Sequence, residues 1–177
     1  MKPIKTILVP TDFSESSRVG LNYAFSLATE NGAELLILHV GNEFQAWEIP
    51  DETGFFSARV YRWQIDRILN EAALDLHRFL EKHTQELRRV PAVRKKVMVG
   101  HVVDRIVDVA REEEVNLIVM SPRAHGTFRR FFLGSVIDRV TRRAPCPVLS
   151  ICPPRRERPW RGDGVPLIKK IPQASEA

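Results

Sequence analysis

Five short, nearly continuous apolar runs alternate with four stretches of helical periodicity along the chain, and no other feature narrows the possible folds as far. The runs are Ile4–Val9, Glu34–Val40, Arg94–Val99, Asn116–Met120 and Pro147–Ile151. The better of them are apolar on consecutive rather than alternate positions, which suits parallel strands covered on both faces. Between the first two, Leu21, Ala24, Phe25 and Ala28 recur at helical spacing, after a capping Ser14 and before an Asn31-Gly32 stop. Ile65, Ile68 or Leu69, Ala72, Leu76, Phe79 or Leu80 and Leu87 then draw one long stripe ended by Pro91, and further helices are expected over Val102–Glu114 and Gly134–Arg143. Crossovers of this length allow parallel pairing, so the alternation predicts a three-layer, doubly wound, Rossmann-like α/β sheet. Gly41 to about Val60 has no period and reads as an ordered loop or lid.

At 177 residues, 44% hydrophobic and 28% charged, the chain has the composition of one globular domain with a sizeable core. We therefore expect a folded unit over 1–152 and a basic tail over 153–177, where five prolines fall in twenty-five residues. No stretch reaches the ~18 uninterrupted apolar residues of a membrane helix, and the N-terminal run lacks a signal-peptide core, so a soluble cytoplasmic protein is expected. Cys146 and Cys152, six residues apart, would lie roughly 20 Å from each other on a strand, too far for a disulfide, and read as small buried hydrophobes. The net charge of +5 is concentrated: Ser121–Arg143 carries six arginines against Asp138, and the tail carries six bases against three acids, leaving the body mildly acidic. That pattern reads either as a solvated helix face with a basic tail or as a local phosphate-facing patch.

Open α/β sheets bind ligands outside the carboxyl ends of their strands, where the winding reverses. The segments in question are Pro10-Thr11-Asp12, His39-Val40-Gly41 and Met120 through Gly126. Asp12 stands where a carboxylate could accept from a ribose hydroxyl or a base amine, and equally where an Asx-turn would start a helix. Gly134-Ser135, just before Val136, opens a helix and so presents backbone N–H groups to an anion. The chain lacks Gly-x-x-x-x-Gly-Lys-Ser/Thr, His-Glu-x-x-His and Gly-x-Ser-x-Gly. Its five histidines, His39, His77, His83, His101 and His125, are dispersed and read as surface or packing residues. Activity beyond slow ATP hydrolysis is not expected.

Three blocks, Ile7–Ser14, Ala33–Val40 and Phe132–Leu149, resemble the universal stress protein family, and the likeness extends from Ile4 to Cys152. The resemblance implies a sheet in the order 3-2-1-4-5, a homodimer formed through the fifth strand, and a role in stress response, with some members binding ATP. In those members a loop resembling Gly-x-x-Gly, nine residues and Gly-Ser or Gly-Thr cradles the phosphates. Here Ser121 and Ala124 replace the two loop glycines, and Pro122 removes a further N–H donor. Pro10, Asp12, Val40, Gly134 and Ser135 match the binding pattern, while Arg123, Arg129 and Arg130 could supply phosphate charge by side chain. The implied cofactor site is Pro10, Asp12, Val40, Met120, Ser121, Arg123, Ala124, Gly134, Ser135 and Val136, with ATP, and Mg beside it, as the implied ligands. The alternative is an interaction protein that binds no nucleotide and meets a protein partner through the tail or the segment around Trp47, Phe55 and Phe56. Two basic clusters permit weak, salt-sensitive contact with nucleic acid, but no recognition motif accompanies them.

Overall fold

Apolar runs with both faces to bury need a layer on each side, and the chain supplies them. The computed structural model describes residues 3–41, 58–122 and 136–152. Five strands, β1 (Thr6–Thr11), β2 (Glu34–Gly41), β3 (Ala92–Val99), β4 (Leu117–Met120) and β5 (Val148–Ser150), form one parallel sheet in the order β3-β2-β1-β4-β5. Around it lie α1 (Glu15–Asn31), α2 (Ala58–Glu81), a short α3 (Thr84–Leu87), α4 (Val102–Glu112) and α5 (Val136–Arg143).

Alternate residues of the central strands divide the core in two. Ile7, Val9, Leu35 and Ile37 pack against Leu21, Phe25 and Ala28 of α1 and Leu76, Phe79 and Leu80 of α2. Leu8, Leu36, Leu38, Ile118 and Met120 pack against Val103, Ile106 and Ala110 of α4 and Val140 of α5. This double burial is the reason β1 and β2 read as continuous apolar chain. The edge strand β3 differs. Arg94 and Lys95 are exposed on it, and Arg94 bridges Glu34 of β2 and Glu113 beyond α4, while Lys96 reaches Glu113 at 3.0 Å.

Several boundaries move from their expected places. β1 runs on through Pro10, which pairs with Leu38, to Thr11. Its pairing with β4 covers only Ile7 and Leu8, so the missing proline N–H falls outside that ladder. The stripe from Ile65 to Leu87 is two helices, not one. His83 turns into the core between Phe25 and Phe79, at ring distances of 5.7 and 6.0 Å, and the chain restarts as α3 behind it. α4 stops at Glu112 because Glu114 takes a left-handed φ of 47°. Gly41 belongs to β2, and α2 already begins at Ala58. Cys146 is half-buried against the second core, but Cys152 is exposed, contrary to its expected burial, because it lies beyond the last pairing of the edge strand β5.

Candidate functional site

β1 and β4 send their crossovers to opposite faces of the sheet, and a cavity of about 750 Å³ opens over their carboxyl ends. Pro10 and Asp12 of the β1 end, Val40 of β2, Met120 and Ser121 of the β4 end and Val136 of α5 all line it. Arg123, Ala124, Gly134 and Ser135 lie outside the described residues, as do Arg129, Arg130, Trp47, Phe55, Phe56 and the tail.

The β1–α1 turn is held by a closed chain of hydrogen bonds. The Ser14 N–H donates to Asp12 Oδ1 at 3.1 Å, an Asx-turn, and the Phe13 N–H donates to Thr11 Oγ1 at 3.1 Å. Ser14 caps α1 by accepting from the Ser17 N–H at 3.1 Å, and Ser17 Oγ donates to Ser14 O at 2.8 Å. Within this frame Phe13 sits at φ 63°, a conformation that costs a bulky side chain roughly 1–2 kcal/mol. From this position its ring stacks on His39, with centroids 4.1 Å apart and planes 17° from parallel. His39 Nδ1 lies 2.8 Å from Thr11 O, so the side chain ties β2 to the end of β1. Burial pushes the His39 imidazole below its ordinary range, against the opposing pull of Thr11 O, Asp12 and Asp75.

Across the cavity from β1, α2 contributes Ile68, Glu71, Ala72 and Asp75, and α4 and α5 contribute Val102, Ile106 and Ile137. Ser121 is committed to the sheet, its hydroxyl donating to Ile151 O at 2.7 Å. Gly20 of α1 makes room for it, since a Cβ there would stand 3.1 Å from Ser121 Oγ. The arginines of α5 are engaged along the surface instead of lining the cavity. Arg143 meets Asp104 at 2.6 Å, Arg142 meets Asp138 at 3.3 Å, and Arg139 reaches His101 Nε2 at 3.3 Å. Arg143 also holds the Asp104 carboxyl below the usual carboxylate range.

Sequence reasoning missed Phe13, Glu71 and Asp75 as cavity residues, while His39, part of a nominated strand-end segment, does line the cavity. Phe13 directly follows Asp12, so its place is open to inspection in the sequence. Glu71 and Asp75 are one helical turn apart on α2, beside the apolar positions Ile68 and Ala72, and only the packing of α2 shows that this flank borders a cavity.

A parallel sheet in this order, with its cavity at the reversal of winding, defines the molecule as a doubly wound α/β protein. The sequence profile of the Universal stress protein family matches residues 3–151, and the chain belongs to that family. Universal stress protein YxiE of Bacillus subtilis is 32% identical over 148 residues, covering 82% of this chain and 97% of that protein. Among solved structures, the Methanocaldococcus jannaschii protein MJ0577 superposes with a TM-score of 0.69 at 24% identity, covering 86% of this chain and 99% of that one. A universal stress protein solved in complex with cAMP superposes with a TM-score of 0.60 at 23% identity, covering 85% of this chain and 98% of the other. No helix among the described residues is long and apolar enough to cross a membrane.

Proposed function

We propose that this protein is a stress-response module that binds an adenine nucleotide in the cavity over β1, β2 and β4. The observation that carries the reading is the convergence of Pro10, Asp12, Val40, Met120, Ser121 and Val136, from four separate elements, on one cavity of about 750 Å³. That size is within the range of small-molecule sites. The cAMP complex of a structural relative supports the same ligand class. In this reading the base and ribose lie against Asp12 and Val40, the Asp12 carboxylate accepts from the ligand, and the phosphates extend toward α5. Arg123, Ala124, Gly134 and Ser135 then form the phosphate end, with arginine charge standing in for the loop glycines. The protein acts as a homodimer joined along β5.

Thermal shift and calorimetric titration with AMP, cAMP and ATP, with and without Mg²⁺, test the reading. We expect saturable binding of at least one of them, weakened tenfold or more, about 1.4 kcal/mol, by Asp12→Ala. No shift with any of the three at millimolar concentration overturns it.

A further inference from the structure

Two hydrogen bonds fix which backbone groups β5 turns outward. Pro147 O accepts from the Ile118 N–H at 3.0 Å and the Ile151 N–H donates to Met120 O at 2.8 Å, so both residues aim their backbone at β4. Backbone groups of successive strand residues point to opposite sides, which leaves those of Cys146, Val148, Ser150 and Cys152 aimed away from the sheet. Each cysteine precedes a proline, Pro147 or Pro153, which favours an extended backbone at both positions. None of the outward residues is itself a proline, so the edge keeps every outward N–H.

A second copy can pair antiparallel with this edge in few registers. Setting Val148 against its own copy puts Cys152 opposite Ala144, whose N–H is already given to Val140 O at 2.8 Å. Setting Ser150 against its own copy puts Cys146 opposite Pro154, which has no N–H. A twofold axis at Leu149, the middle residue of β5, uses every outward donor: Val148 meets Ser150, and Cys146 meets Cys152, once at each end. Residues opposed in this way stand about 5.5 Å apart between Cα atoms, inside the ~4.4–6.8 Å that a disulfide spans. Positions 146 and 152 differ by an even number, so both side chains fall on one face of the paired strands. Within one chain the same two residues are separated by six residues of extended backbone, roughly 20 Å, and cannot join.

Resting on the β5 homodimer proposed above, we infer that Cys146 and Cys152 form a redox-sensitive pair across that interface, each Cys152 joining Cys146 of the second copy when hydrogen peroxide oxidises them. Cys152 is exposed and reacts first. Its sulfur attacks the peroxide, the O–O bond breaks, and the departing hydroxide takes the thiol proton as water, leaving a sulfenic acid. Cys146 is half-buried against the second core, where desolvation pushes its thiol up and disfavours the thiolate, so it is the resolving group. Its sulfur attacks the sulfenic sulfur, the S–O bond breaks, and the thiol proton leaves with the oxygen as a second water. At each end of the interface two thiols and one peroxide give one disulfide and two waters, and the dimer is locked until a thiol reductant opens it.

The test uses the full chain as wild type, as Cys146→Ser, as Cys152→Ser, and as the two variants expressed together. Each is treated with a small molar excess of hydrogen peroxide and run on a denaturing gel with and without dithiothreitol, beside sedimentation of the reduced protein. We expect the wild type to give a covalent dimer that dithiothreitol opens, and each variant alone to give none. The co-expressed pair should recover it, because a mixed dimer sets one Cys146 opposite one Cys152. Trypsin cuts after Arg143 and Arg155, so the wild-type product should contain two copies of Ala144–Arg155 joined by disulfide. A reduced protein that sediments as a monomer overturns the dimer reading and this inference with it. A reduced dimer that peroxide does not cross-link, or a cross-link that persists in either variant alone, overturns this inference and leaves the dimer reading standing. Should Cys146→Ser not fold, Cys146→Ala takes its place, and a covalent dimer in Cys152→Ser, altered only at an exposed position, overturns the pairing on its own.

Discussion

His83 shows how one residue can set both a helix boundary and a pH response. It is 5% exposed, its rings are Phe25 and Phe79, and its Nε2 has no hydrogen-bond partner. Burial lowers its proton affinity, Arg18 and Lys82 lower it further, and Glu86 opposes them. Above the ordinary imidazole value of about 6.5, both the folded and the unfolded chain hold this residue neutral, so it adds no pH dependence. As the pH falls below that value the unfolded chain takes up a proton that the folded chain refuses, and stability declines until the lowered folded-state value is reached. His83→Phe should therefore flatten the loss of melting temperature between about pH 7 and about pH 5, relative to wild type. Parallel profiles for the two proteins would contradict this. The dispersal of the histidines in the sequence gave no hint that His83 and His39 face such different surroundings.

At the scale of the element, α1 was legible to the residue. Ser14 and Gly32 were read as its ends, and Ser14 caps the Ser17 N–H while Gly32 adopts φ 63° and donates to Ala28 O. These are local events, decided by side chains within one turn of the terminus. Ser14→Ala should cost about 1 kcal/mol, measured by urea unfolding, because the Ser17 N–H loses its acceptor while Ser14 O still receives Ser17 Oγ. A cost near zero would mean that water replaces the cap. The α2–α3 break was not legible. Its stripe continues past His83 in the sequence, and Leu87 still packs against the core, so periodicity alone cannot distinguish one helix from two.

For the molecule as a whole, the two sheet edges are defended unequally. β3 carries Arg94 and Lys95 exposed, with Arg94 and Lys96 tied to Glu34 and Glu113. β5 offers half-buried Val148 and Leu149, with Ile151 just beyond, and no charge along its length. Charged edges resist pairing and uncharged ones invite it. Sedimentation at tens of micromolar should accordingly give a dimer, and a monomer at that concentration would refute the role assigned to β5.

The amino-acid sequence by itself determined the alternation of strand and helix, the ends of α1 and the first nominated residues of the cavity, since each depends on neighbours a few positions away. Tertiary structure alone decided that His39 would lie under Phe13, that Glu71 and Asp75 would border the same space, and that the Ser121 hydroxyl would be taken by Ile151. Those outcomes depend on where α2 and β5 come to rest against the sheet, through contacts between residues tens of positions apart, for which no local pattern in the chain is a signal.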